Sequence, residues 1–246
     1  MQIDFLSPGR PGRVEVLHAD PELAGSLTDA RRARAEQLST ATVLRRPSGV
    51  WDAKADADHA RDGFGLLVLD GVLVRRVGVD ERVGAELLGP GDLLQPSQHD
   101  GEEATVPFEA TWRVLSSLRL AILDGRWVTR MAPFPEVGVA LLARTLARSR
   151  RLASMLAITH HPRLDDRLWL FFWEVADRFG RVGPDGVVID VPLTHEVVSH
   201  LVGARRPSVS AALARLDHEG RLHRRETGWL LIGDPPQADR SSDPAS

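Results

Sequence analysis

Arg205, Arg206, Ser208, Ser210 and Arg215 fall in one short stretch, and no acid interrupts them before Asp217. Guanidinium groups present planar forks that match phosphate oxygens and the O6/N7 edge of guanine, and serine hydroxyls add phosphate contacts. Such a set suits a nucleic-acid backbone and its base edges. Other chemistry finds little footing. There is no phosphate loop, dinucleotide fingerprint, Gly-x-Ser-x-Gly or His-Glu-x-x-His, so no enzyme is expected. The chain has no cysteine, which excludes disulfides, cysteine-ligated clusters and thiol catalysis. Nine histidines are present, but His160 and His161 are adjacent and diverge on a helix, and His195 and His200 sit beside the basic stretch. Neither a metal nor a haem is expected.

The arginines need a mount. Leu193 to Leu216, LTHEVVSHLVGARRPSVSAALARL, predicts two short helices and a tight turn. Val197, Val198 and Leu201 are spaced to bury one side of the first, and Thr194 is its N-cap. Gly203 makes the turn. Pro207 lies in the first turn of the second helix, where a missing N–H costs little. Val209, Leu213 and Leu216 face inward. Gly220 reads as a C-cap, and Arg221 to Ile232 as two short strands turning at Thr227-Gly228. Helix, turn, helix and a basic hairpin make a winged helix-turn-helix, whose second helix lies in a major groove. Candidate DNA contacts are Thr194, His195, Arg205, Arg206, Ser208, Ser210, Arg215, Arg224 and Arg225. The same spacing also fits a helical hairpin with a solvated basic face; the wing and the bunched arginines favour DNA.

The rest of the chain must carry this reader. Its 246 residues hold one large or two modest domains, 43% of residues are hydrophobic, and the net charge is −3. A nucleic-acid site must therefore come from local charge. No apolar run is long enough to span a bilayer, and Met1-Gln2-Ile3-Asp4 starts no signal peptide; a cytoplasmic protein is expected, with no membrane partner. Gly65 to Val74 predicts a strand, an Asp-Gly turn and a returning strand, and Gly89 to Leu94 a corner into another. Further strands fit Arg82 to Leu88, Thr111 to Leu115 and Leu118 to Leu123, which together suggest a small β-roll. From Pro135 the period becomes helical, to about Thr159. Its apolar stripe is a candidate homodimer seam through Val137, Leu141, Leu152, Met155 and Leu156, or it packs only on its own roll. Arg163 to Gly180 predicts another helix, in which Asp165 and Asp166 suit the helix dipole.

With these pieces placed, the chain resembles the Crp/Fnr family of bacterial transcription regulators. The resemblance rests on RLDDRLWLFFWEVADRFG, on LTHEVVSHLVGARRPSVSAALARLDHEGRL, and less specifically on GLLVLDGVLVRR and LLGPGDLL. It implies an α+β fold: an N-terminal, jelly-roll-like β-roll sensor (1–132 with its arm), a long dimerisation helix (133–161), a winged helix-turn-helix (162–233) and a disordered tail (234–246). It implies a homodimer on promoter DNA, with RNA polymerase a further candidate partner. Arg206 matches the family's guanine-reading arginine, and Ser208 and Thr194 match phosphate contacts. Pro207 and Ala211 stand where many members have a glutamate and a second arginine, so a different operator is implied.

Members that bind cyclic nucleotides carry Gly-Glu after the Gly-Asp corner and then an Arg-Ser/Thr-Ala motif. This chain has Gln95-Pro96, no arginine or lysine from Ser97 to Trp112, and Asp100, Glu102, Glu103 and Glu109 instead. No cyclic-nucleotide cofactor is expected. The competing reading is a β-roll ligand-binding or scaffold protein whose winged helix mediates protein contacts.

Overall fold

Leu66, Leu67, Val68 and Leu69 form an unbroken apolar run, which suits a strand only when both faces are covered. The computed structural model describes residues 12–80, 82–96 and 105–236. The N-terminal arm, the acidic loop at 97–109 and the tail fall wholly or largely outside them. The chain divides into two units, Met1–Leu152 and Ala153–Ser246.

The first unit contains β1 (Gly12–Glu15), α1 (Val16–Ala19), α2 (Asp29–Leu38), β2 (Thr40–Arg46), β3 (Gly49–Trp51), α3 (Ala53–Ala57), β4 (Gly65–Asp70), β5 (Leu73–Val79), β6 (Arg82–Leu88), β7 (Leu93–Leu94), β8 (Glu109–Val114), β9 (Leu118–Leu123) and α4 (Gly125–Met131). Two antiparallel sheets form, in the orders β1-β2-β9-β4-β7 and β3-β8-β5-β6. Leu66 and Val68 join Leu73, Leu88, Trp112 and Leu120 in one core cluster, while Leu67 and Leu69 pack with Leu17, Leu23, Trp127 and Phe134 in another. Both faces of β4 are thus buried.

Asp70-Gly71 does not make the expected hairpin. β4 pairs with β9 and β7, whereas β5 pairs with β6 and β8. The chain turns a corner from one sheet to the other, because Leu66, Val68 and Leu73 all belong to the same core. Gly71 has φ +89°, and a Cβ there would lie 2.3 Å from the Ser117 carbonyl oxygen. Helix α4 was not foreseen. Asp124 caps it by accepting from the Trp127 N–H at 2.8 Å, and the buried Trp127 donates its Nε1–H to the Ser39 carbonyl at 2.8 Å.

α5 (Pro135–Thr159) begins in the first unit and ends in the second. Its apolar residues occupy two faces, which corrects the expected seam. Val137 (0% exposed) and Leu141 (1%) are buried in the first unit's core, so neither can meet a partner, and Met155 lies half-buried on the same helical line. On that side arginines answer carboxylates: Arg144 pairs with Asp20, Arg148 grips Glu86 at 2.6 and 2.7 Å, and Arg151 reaches the buried Asp92 at 2.6 Å. The opposite side exposes Val139, Leu142 (58%), Leu146 (55%) and Leu156, with Leu152 at its margin.

The second unit continues with α6 (Leu164–Phe179), β10 (Gly180–Gly183), β11 (Gly186–Ile189), α7 (His195–Leu201), α8 (Arg206–His218), β12 (Leu222–Arg225) and β13 (Gly228–Leu231). Its sheet runs β10-β11-β13-β12. Gly180 starts a strand that sequence reading missed. Phe171 and Phe172 of α6 are buried with Val197 and Val198 of α7, Val209 and Leu213 of α8, and Trp229 of the wing.

The two turn glycines separate strain from collision. Gly71→Ala should cost about 3 kcal/mol or more in urea unfolding, since left-handed strain adds to the clash with Ser117. Gly203→Ala, with φ +64° and nothing within 4 Å of the new Cβ, should cost only about 1–2 kcal/mol.

Candidate nucleic-acid interface

The reader is built as its spacing predicts. Thr194 accepts from the Val197 N–H at 3.2 Å and so caps α7. Gly203, in the left-handed region, turns the chain into α8. Val209, Ala212, Leu213 and Leu216 are buried. Arg206, Pro207, Ser208, Ala211, Ala214 and Arg215 are exposed. Arg205 offers no side-chain cap, and Pro207 sits in the first turn.

Trp229 gathers three elements. The His195 ring stacks on it with centroids 6.0 Å apart, and His195 Nδ1 lies 2.9 Å from Ser210 Oγ on α8. The Arg224 guanidinium lies 4.7 Å from the Trp229 ring centroid and donates to the Leu193 carbonyl at 2.6 Å. Trp229 Nε1 donates to that same carbonyl at 3.1 Å. The start of α7, the middle of α8 and the wing are therefore fixed to one another. Burial, then the nearby Arg224 and Arg206, pushes the His195 imidazolium toward its neutral form.

The cationic set divides. Arg215, expected among the DNA contacts, donates from Nε and Nη2 to Asp165 at 2.8 and 2.6 Å. Asp165 is held below the usual carboxylate range by that hydrogen bond; it serves α8 as well as the start of its own helix. Arg224 is engaged at Leu193. Arg205, Arg206 and Arg225 are exposed and have no ion-pair partner among the described residues. Thr194 and Ser208 are exposed as well.

A second concavity lies in the first unit. Arg75, Arg148, Gln95, Thr145, Trp112 and Phe64 line a cavity of about 210 Å³. The Arg75 guanidinium sits 5.5 Å from the Trp112 ring centroid, and Arg148 is held by Glu86. Sequence reading looked for cations in the loop after the corner and missed these two, which come from β5 and α5. Asp100, Glu102 and Glu103 lie outside the described residues. No helix among the described residues is long and apolar enough to cross a membrane.

Comparison with known proteins agrees with this geometry. Residues 166–237 match the Crp-like helix-turn-helix domain. The regulatory protein CysR of Synechococcus elongatus is 35% identical over 93 residues, 37% of this chain and 44% of that protein. The alignment thus spans less than half of CysR. A CRP-like cAMP-activated global transcriptional regulator of Mycobacterium tuberculosis is 28% identical over 160 residues, 63% of this chain and 67% of that protein. The structure of FixK2 from Bradyrhizobium japonicum superposes with a TM-score of 0.57 at 17% identity, covering 79% of this chain and 93% of that one. At this identity the structural likeness establishes the fold.

The division of cations can be read from salt dependence. In duplex-binding titrations, Arg205→Ala and Arg225→Ala should each flatten the plot of log K against log salt by about 0.9 per chain. Arg215→Ala should leave that slope unchanged.

Proposed function

We propose that this chain, a member of the Crp/Fnr family, is a homodimeric regulator that binds double-stranded DNA through α8 in the major groove. The observation that carries this is Arg206: exposed, without an ion-pair partner among the described residues, and mounted on a helix whose other side is fully buried. An α-helix fits the major groove, where an arginine fork reads guanine O6 and N7. Thr194, Ser208, Arg205 and Arg225 then meet phosphates and set the register. His195 and Ser210 hold α8 against the wing.

Pairing would use the outward side of α5. Val139, Leu142, Leu146, Ser149, Ala153 and Leu156 recur at alternating spacings of three and four and are all exposed, the pattern of a two-stranded coiled-coil seam. Two copies joined there would present two α8 helices to half-sites one DNA turn apart. In this reading residues 1–132 are the sensor, 133–161 the dimerisation helix and 162–233 the reader. Regulation then acts through RNA polymerase at the promoter, in the cytoplasm, with no reaction catalysed by the chain itself.

The sensor does not take a cyclic nucleotide. The cavity lined by Arg75 and Arg148, about 210 Å³, is smaller than the roughly 300–1,000 Å³ that encloses drug-sized ligands, and Glu86 already occupies the Arg148 fork. The contrast is with the cAMP-activated relative named above.

Three measurements test the reading. Arg206→Ala should weaken binding to a selected duplex by about 1–3 kcal/mol while leaving binding to unrelated duplex nearly intact. Leu142→Glu with Leu146→Glu should convert a dimer into a monomer in light scattering, with folding unchanged. Calorimetry with cyclic AMP should give no micromolar binding.

A further inference from the structure

His195 stands where α7, α8 and the wing meet. It is the first residue of α7, its Nδ1 lies 2.9 Å from Ser210 Oγ, and its ring stacks on Trp229. The charged groups acting on it are Arg206 from α8 and Arg224 from β12, with Glu196 its chain neighbour on α7. The ring is half-buried. Burial first, then Arg224 and Arg206, lowers its pKa from the ordinary 6.5. Arg206 is assigned above to a guanine edge, and Arg224 lies on the wing strand next to Arg225, which is assigned to a phosphate, so both border the surface that meets the duplex. A phosphate seated against them cancels the repulsion that disfavours an imidazolium.

We propose that His195 is a positioning residue of the DNA interface that takes up a proton as the duplex binds. The inference rests on the DNA-binding reading of α8. A neutral imidazole has one donor and one acceptor nitrogen; the imidazolium donates from both. On protonation Ser210 Oγ therefore accepts from Nδ1–H, and the contact between α7 and α8 becomes charge-assisted. The second nitrogen gains or keeps a proton beside the phosphates. The proton comes from solvent, one per chain, and no covalent bond is exchanged.

The sign follows from linkage. The complex binds more protons than the separate partners, so affinity rises as pH falls. The rise begins near the pKa of His195 in the complex. It levels off below the free-state value, where both states are protonated. Within that window the gain is at most about tenfold per pH unit per chain.

The test uses the full chain and a duplex selected by the protein from a random library. Fluorescence anisotropy gives affinity from about pH 5.5 to 8. Calorimetry in two buffers of different ionisation heat counts protons. Wild type should bind more tightly toward acid and take up protons on binding. His195→Gln keeps a planar polar group that cannot protonate in this range. The variant should lose its share of both the pH profile and the proton uptake, whatever its affinity at the alkaline end. Ser210→Ala should keep the uptake but shift its midpoint.

Parallel pH profiles for wild type and His195→Gln would overturn the proposal, as would equal proton uptake by the two. If the glutamine variant is unfolded by circular dichroism, the wild-type proton count and the Ser210→Ala midpoint decide. A wild type that binds duplex without taking up protons overturns this inference alone. A wild type that binds no duplex at any pH in low salt removes the DNA-binding reading, and this inference with it.

Discussion

Helix α8 is held by its seat. It has 13 residues and no side-chain cap at its start, and a helix that short is marginal alone in water. Val209, Ala212, Leu213 and Leu216 are all but fully buried, and each large apolar side chain contributes about 1.5–3 kcal/mol by leaving water. Burying that side leaves the opposite one outside, with Arg206 on it. Two lateral ties then fix the helix about its axis: Arg215 to Asp165 on one side, Ser210 to His195 on the other. The reading surface thus follows from apolar burial first and from electrostatics second.

Charge placement follows the same logic. The net charge is −3, and many arginines are committed to carboxylates. Arg46 is bound to Asp56, Arg144 to Asp20, Arg148 to Glu86 and Arg151 to Asp92. These pairs consolidate the first unit and hold α5 to it. Arg205, Arg206 and Arg225, without ion pairs among the described residues, lie in α8, at its start or on the wing. A local field can attract DNA even when the whole molecule is slightly acidic.

The sequence is most legible where structure is decided locally. Thr194, Gly203, Pro207 and Gly220 mark the ends of α7 and α8 by capping and turn chemistry, and each stands where spacing alone puts it. Legibility falls where distant partners decide. Asp70-Gly71 carries a hairpin signal, yet shared burial of Leu66 and Leu73 turns it into a corner between sheets. The stripe on α5 merges two faces, because Arg144, Arg148 and Arg151 look solvent-facing until Asp20, Glu86 and Asp92 are placed beside them. Arg215 looks like a DNA contact until Asp165, fifty residues earlier, reaches it. Arg75 and Arg148 share a cavity that no single segment contains. In each case the residue types are legible in the sequence and their distant neighbours are not.

The central claim is that α8 enters a major groove and that two copies do so together. A hydroxyl-radical footprint of the full chain on a duplex it has selected tests both at once. The account predicts two protected stretches about one helical turn apart, related by two-fold symmetry and both lost with Arg206→Ala. A single protected stretch, or protection that persists without Arg206, would contradict it.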